Sequence, residues 1–363
     1  MSDRMELLCE KDRCLVDPQT IEMVNREQRR FGWTASNYTM FWGRRLSEGI
    51  QYRLGTLHSR RKVLSMTPLK QIIDRDALPA SFDSRTRWRG LVGPPKDQGW
   101  CGSSWVYSTV GVASDRWMIM TKGRMHESLS HQHLLSCNNR NQRGCAGGHL
   151  SRAWAFIKKF GLVPESCYPW TGDTTRCNVP KQKSGQDARC VADPQGVERR
   201  PLFRMGPVYR VVTEEGIMQE IMSNGPVQAT MKVNPDFFMY SGGIYKCSAL
   251  PGSESGFHSV RIVGWGQEQQ GGRPVKYWTV ANSWGQDWGE GGFFRIRRGV
   301  NECKIEDFVL GAWANLETSR KPTVQEVFLR AAGVRLAALE VSSQSPFDEP
   351  YESTTYSNLS NEI

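Results

Sequence analysis

Ser104 closes the run Gln98-Gly99-Trp100-Cys101-Gly102-Ser103-Ser104-Trp105 and places a hydroxyl at the head of a helix-forming stretch. Further along stand an imidazole, His258 in Gly256-Phe257-His258-Ser259-Val260, and a carboxamide, Asn282 in Ala281-Asn282-Ser283-Trp284-Gly285. Covalent acyl transfer needs an activated attacker, a base for its proton, an orienter for that base, and donors facing the developing oxyanion. His258 is the candidate base and Asn282 the candidate orienter. Gln98, just ahead of Ser104, offers an amide beside the helix start. The attacker is the anomaly: a serine hydroxyl does not rest ionised, so Ser104 would have to lose its proton at the moment of attack. A lone histidine is usually structural, and His258 takes its functional reading from the flanking motifs. His131 and His133 are two apart, so a helix turns them to different faces, and they read as non-ligands.

These groups need rigid elements to hold them. Residues 104–122 form the clearest helix: no proline interrupts them, and Gly123 suits a left-handed cap. A second helix is predicted over 150–160, between Gly147-Gly148 and Gly161. From about residue 208 the texture changes to short β-type runs, at 226–231, 259–264, 277–281 and 293–296. Helices first and strands later imply two lobes, one mostly helical and one mostly β.

The 363 residues suffice for about two domains, and 39% hydrophobic with 23% charged residues marks a globular chain. No apolar stretch reaches the roughly 20 residues of a membrane span. The net charge of +10 favours acidic partners such as heparin-like polyanions, with simple solubility as the plain alternative. No basic–aromatic interleaving or zinc-finger spacing supports nucleic-acid binding. Ten singly scattered cysteines, without CxxC pairs, point to disulfides and an oxidising compartment, and neither metal nor cofactor is called for. Sequons at Asn37 and Asn358 agree with secretion, with Asn37 as the glycosylation candidate. Residues 1–8 lack the apolar core of a signal peptide, which reads as a truncated or alternatively started chain.

The chain divides by pattern into four stretches. Residues 1–16, with Cys9 and Cys14, read as the remnant of an upstream cysteine-rich module. Residues 17–77 form a block with Trp33, Tyr38, Phe41 and Trp42 as apolar anchors and a basic Arg60-Arg61-Lys62 cluster. The main domain covers 78–316. The tail, 317–363, is expected to be disordered, with an amphipathic pattern over 324–341.

The motifs quoted above resemble those of papain-like cysteine proteases, whose order is nucleophile, histidine, asparagine. The resemblance runs from about residue 17 to 316 and is to the cathepsin B branch. Leu78-Pro79-Ala80-Ser81-Phe82-Asp83 resembles the start of a mature enzyme. Gly144-Cys145-Ala146-Gly147-Gly148 resembles the substrate-backbone turn, which implies that Gly148 pairs with an extended peptide. Trp284-Gly285-Gln286-Asp287-Trp288-Gly289 implies that Trp284 shields the His–Asn bond and that Trp288 lines the primed side. The implied fold is α+β and papain-like: a helical lobe, an antiparallel β-barrel lobe, a cleft between them, and a short prosegment in front.

Two departures qualify the resemblance. Cathepsin B grips a C-terminal carboxylate with adjacent histidines, whereas residues 168–190 here contain none, so carboxypeptidase-type trimming is not implied. Ser104 also replaces the nucleophilic cysteine. That replacement is similar to the tubulointerstitial nephritis antigen family, as are Cys14-Leu15-Val16-Asp17-Pro18, Phe41-Trp42-Gly43, Tyr52-Arg53-Leu54-Gly55-Thr56 and Val300-Asn301-Glu302-Cys303.

The resemblance implies disulfides Cys101–Cys145, Cys137–Cys177, Cys167–Cys190 and Cys247–Cys303, the second and third open to exchange, with Cys9 and Cys14 left for an upstream module. In active relatives the thiol pKa, ordinarily about 8.5, falls to roughly 3–4 beside histidine and a helix N-terminus. Serine cannot follow, and oxygen sits differently from sulfur, where a misplacement near 1 Å costs on the order of a hundredfold. The expectation is a catalytically inactive, secreted monomer that binds extracellular-matrix or basement-membrane components or cell-surface receptors, with its prosegment retained across the cleft. The alternative is a secreted or lysosomal peptidase with residual activity through Ser104 and His258.

Overall fold

The computed structural model describes residues 13–57, 67–70, 78–179, 186–247 and 255–316. Cys9, the Arg60-Arg61-Lys62 cluster, the 324–341 pattern and the Asn358 sequon lie outside them. The chain divides into two units, residues 1–319 and 320–363, and the elements below belong to the first.

Asp17 and Pro18 start helix α1, Pro18–Arg26: the carboxylate accepts the Gln19 N–H at 3.1 Å, and proline suits a first turn whose N–H has no helical partner. The chain reverses at Gly32 into strand β1, Trp33–Ala35, and continues to α2, Leu46–Arg53. Trp33 and Phe41 are buried as expected. Trp42 is not an apolar anchor: it is 45% exposed, and its indole N–H donates to the Asn37 side chain.

In the main domain, β2 is Phe82–Asp83 and α3 is Ser104–Met120. Buried residues occur on every face of α3, the mark of a helix surrounded by protein. It ends short of the expected Lys122, although Gly123, at φ 76°, still makes the reversal. Then come α4, His131–Cys137, and α5, Leu150–Phe160. The β lobe follows: β3 Met205–Val211, α6 Glu214–Asn224, β4 Val227–Val233, β5 Tyr240–Tyr245, β6 Gly256–Gln270, β7 Arg273–Ala281, β8 Phe293–Arg297 and β9 Val309–Ala314. Their order in the sheet is β1-β5-β8-β7-β6-β4-β9-β3, with β2 on β6. Only β5 and β8 pair in parallel among these neighbours. β6 and β7 outrun the apolar pattern because a polar ribbon, Gln267–Gln270 against 273–276, continues the pairing to a Gly271-Gly272 turn. Both glycines have positive φ (58° and 76°), as such a hairpin turn requires.

One apolar cluster holds the helical lobe, around Trp105, Trp117, Trp154 and Leu134. A second holds the β lobe, around Trp265, Trp278, Trp284 and Trp288, and it also contains Leu15, Val24, Trp33, Phe41, Leu46 and Leu54. Burying a large apolar side chain stabilises by about 1.5–3 kcal/mol. Residues 13–57 are thus built into the β lobe, with β1 paired to β5.

Between described residues the disulfides are Cys101–Cys145, Cys137–Cys177, Cys167–Cys190 and Cys247–Cys303, which resolves the open middle pairings. Cys14, which the resemblance leaves for an upstream module, is also disulfide-bonded.

Candidate active site

Ser104 is the first residue of α3, His258 lies near the start of β6 opposite Met231 of β4, and Asn282 follows directly after β7. The pairing of Arg261 with Ala281 across β6 and β7 brings His258 and Asn282 together. His258 Nε2 lies 2.7 Å from Asn282 Oδ1, which also accepts the Ser283 N–H at 2.8 Å. An amide oxygen only accepts, so Nε2 carries the proton and Nδ1 keeps a bare lone pair. The Trp284 ring covers the imidazole, with centroids 5.2 Å apart. Both Ser104 and His258 are fully buried. Burial pushes the imidazole down to about 4, with the Asn282 bond opposing, and Nδ1 has no hydrogen-bond partner.

The oxyanion donors are formed and occupied. The Ser104 N–H and the Gln98 Nε2–H both donate to the Leu54 carbonyl oxygen, at 3.2 and 3.3 Å. Gln98 is fixed in turn by Ser283 Oγ, which donates to its Oε1 at 2.6 Å, and by its own bond to the Cys101 oxygen at 2.8 Å. The groove is filled by the same segment. The Gly148 N–H donates to the Gly55 oxygen and the Leu57 N–H to the Gly148 oxygen, both at 2.9 Å, in a parallel bridge centred on Thr56. Gly147, at φ 115°, packs beside Leu57. Gly55 is required here: its φ is 109°, and a Cβ would stand 1.9 Å from the Gly102 oxygen. Arg53, buried, pairs with Asp97 at 2.6 Å and lies over the Trp100 ring at 4.9 Å, so the end of α2 grips the signature loop itself.

The Ser104 hydroxyl does not reach for His258. It lies 2.8 Å from Thr56 Oγ1, which is 2.7 Å from Ser259 Oγ; Ser259 Oγ is 2.8 Å from Ser108 Oγ, and Ser108 Oγ is 2.8 Å from the Ser104 carbonyl oxygen. Each hydroxyl has one proton. Ser108 donates to the carbonyl and Thr56 donates to Ser259, so Thr56, its one proton spent, accepts from Ser104. The proton a base would need is therefore committed to Thr56.

Trp288 is fully buried, its indole N–H bonded to the Phe238 oxygen at 3.0 Å and its ring against Tyr38, so it lies beneath residues 13–57 rather than on an open surface. Asn37 is exposed. His131 and His133 are buried with separate partners: Glu165 Oε2 at 2.9 Å from the first, and the Val163 N–H donating to the second at 3.2 Å. Among the described residues no group of three or more His, Cys, Asp or Glu is placed to hold a metal ion. Sequence reasoning missed Leu54, Thr56, Ser108 and Ser259 as parts of the site. The signal for the first two was Gly55, within a motif already singled out: a glycine flanked by larger residues marks close backbone approach.

Comparison with known proteins supplies the context. A profile for papain family cysteine proteases matches residues 78–313. A rat protein named tubulointerstitial nephritis antigen-like is 44% identical over 330 residues, covering 85% of this chain and 70% of its own length. The human tubulointerstitial nephritis antigen is 41% identical over 330 residues, covering 86% and 69%. A cathepsin B-like cysteine proteinase 4 of Caenorhabditis elegans is 36% identical over 265 residues, covering 67% and 77%. Among solved structures, procathepsin B S9 from Trypanosoma congolense superposes with a TM-score of 0.70 at 27% identity, covering 83% of this chain and 99% of its own.

Proposed function

The chain belongs to the papain family of cysteine proteases, and from that premise we propose that it is a catalytically inactive member that serves outside the cell as a matrix- or receptor-binding glycoprotein. One observation carries the inactivity: the attacking atom is an oxygen whose proton is given to Thr56, while Leu54 takes the oxyanion donors. Water and peptide alike are kept from a site in which Ser104 and His258 are fully buried. The extracellular half of the reading is supported by the disulfides, an exposed sequon at Asn37, and relatives named as tubulointerstitial nephritis antigens. No helix among the described residues is long and apolar enough to cross a membrane. The net charge of +10 fits polyanionic matrix partners such as heparin-like glycans.

The test has two arms. The recombinant chain, intact and after removal of residues 1–77, is presented with a peptide library and with serine- and thiol-directed probes; no turnover and no labelling are expected. Salt-dependent retention on heparin is expected from the same protein. Turnover that vanishes in Ser104→Ala would overturn inactivity, and retention no different from that of a neutral column would overturn the polyanion partner.

A second reading, a secreted or lysosomal peptidase with residual activity, is favoured by the intact His258–Asn282 bond, which leaves Nδ1 in the basic form. Under it, hydrolysis appears once residues 54–57 leave the groove and is blocked by a serine-directed probe.

A further inference from the structure

Residues 67–70 dock on the β lobe outside the cleft, along β3, the last strand of the sheet order. The Lys70 N–H donates to the Arg210 oxygen at 2.9 Å and the Arg210 N–H to the Pro68 oxygen at 2.7 Å, a parallel bridge between Leu69 and Arg210. An edge strand carries unpaired backbone groups, and an extended segment that satisfies them gains affinity from the backbone and selectivity from side-chain pockets.

Such a pocket exists. Lys70 Nζ lies 2.8 Å from Glu220 Oε2, 5.1 Å from the Tyr209 ring centroid and 4.9 Å from that of Trp313. The two rings lie 4.6 Å apart, and Trp313 remains 41% exposed, so the pocket is open to solvent. Glu220, fully buried on α6, is fixed by protein before any lysine arrives: Arg116 Nη2 at 2.9 Å and the Tyr209 hydroxyl at 2.6 Å hold Oε1, and Asn224 Nδ2 lies 3.1 Å from Oε2. A fixed carboxylate oxygen and two adjoining aromatic rings, all within reach of one Nζ, select an ammonium group over an apolar tip.

We propose that the edge of β3, with Tyr209, Trp313 and Glu220, is a lysine-reading peptide site, filled in this chain by its own residues 67–70. The site is distinct from the cleft and shares no residue with it. It fastens the far end of the region that begins at α1, and it accepts any extended lysine-bearing segment that displaces Lys70.

The probe is the peptide acetyl-Thr-Pro-Leu-Lys-amide, read by the indole N–H signal of Trp313 in nitrogen-labelled full-length chain and assigned by its loss in Trp313→Phe. In Lys70→Ala the signal is expected to shift saturably. The unsubstituted chain needs at least about tenfold more peptide, because tethered Lys70 competes at high effective concentration. The analogue with norleucine for lysine binds Lys70→Ala at least about tenfold more weakly. Lys70→Met, which keeps the aliphatic stem, is titrated in parallel so that a folding defect in the alanine variant does not decide the outcome. No saturable shift in either variant, equal response to the norleucine peptide, or equal response of the unsubstituted chain would each overturn the proposal.

Discussion

His258 should stay neutral well below the range in which a histidine normally titrates, and that neutrality sets how the fold responds to acid. In the unfolded chain its pKa is about 6.5; in the fold, burial pushes it down to about 4 against the opposing Asn282 bond. A base whose folded pKa is depressed is protonated more readily in the unfolded state. Its contribution to stability is therefore whole above pH 6.5 and is lost as pH falls toward 4. Between pH 7 and pH 5 the loss amounts to about 2 kcal/mol, and over the whole window to about 3 kcal/mol. His133, pushed by burial to about 3, adds a further loss of about 2 kcal/mol over the same interval. Urea unfolding at pH 7 and pH 5 measures these losses together with that of His131, which burial also pushes down, and His258→Gln, which keeps a group able to bond Asn282, should flatten the dependence by about 2 kcal/mol. Imidazole resonances of His258 followed from pH 8 to pH 4 give the ring's own titration. An imidazolium at pH 6 with residues 54–57 in place, or an unchanged pH dependence in His258→Gln, would refute the reasoning, because either would mean that Nδ1 has a partner or a charge the geometry denies it.

Two further perturbations address the occupied groove. Gly55→Ala sets a Cβ against the Gly102 backbone at φ 109°, where a non-glycine residue costs about 1–2 kcal/mol before any clash; the amide hydrogens of Leu57 and Gly148 should exchange at least about tenfold faster, and unchanged exchange would show that the segment is not held there. Ser104→Cys should be alkylated by iodoacetamide at least about a hundredfold more slowly in the native chain than in urea, since position 104 is fully buried, and equal rates would remove the barrier inferred from burial.

The site's family residues were legible because each sits in a contiguous motif: Ser104 and Gln98 in one run, His258 and Asn282 in two others. Strand positions were legible where burial alternates or runs unbroken, as over Val227–Val233, and illegible where an unbroken polar run forms the strand, as over Gln267–Gln270. Asp115 and Arg116 in α3 lacked any sequence signal for burial. Both are buried, paired with Arg261 and with Glu220, partners more than a hundred positions away. Ion pairs of that separation leave no periodicity to read. The Lys70 clasp escaped for the same reason: Lys70 and Glu220 are joined only by the tertiary fold.

The serine at 104 and the segment lying in the groove are physically one feature. The hydroxyls of Ser104, Thr56, Ser259 and Ser108 follow one another to the Ser104 carbonyl at 2.7–2.8 Å, a separation normal for O–H···O contacts. A cysteine at 104 would bring a longer bond to carbon, a larger atom and a weak donor and acceptor, so the contact to Thr56 would lengthen and lose most of its strength. An ionised thiolate would go further, since it offers no proton to Thr56 and pulls the imidazole proton toward itself. A thiolate at this position would therefore loosen the segment, whereas the hydroxyl binds it. Thr56 on the segment, Gly55 in its close approach and Ser104 beneath them satisfy one another, while Arg53 and the apolar residues of α1, β1 and α2 hold the segment from the β-lobe side.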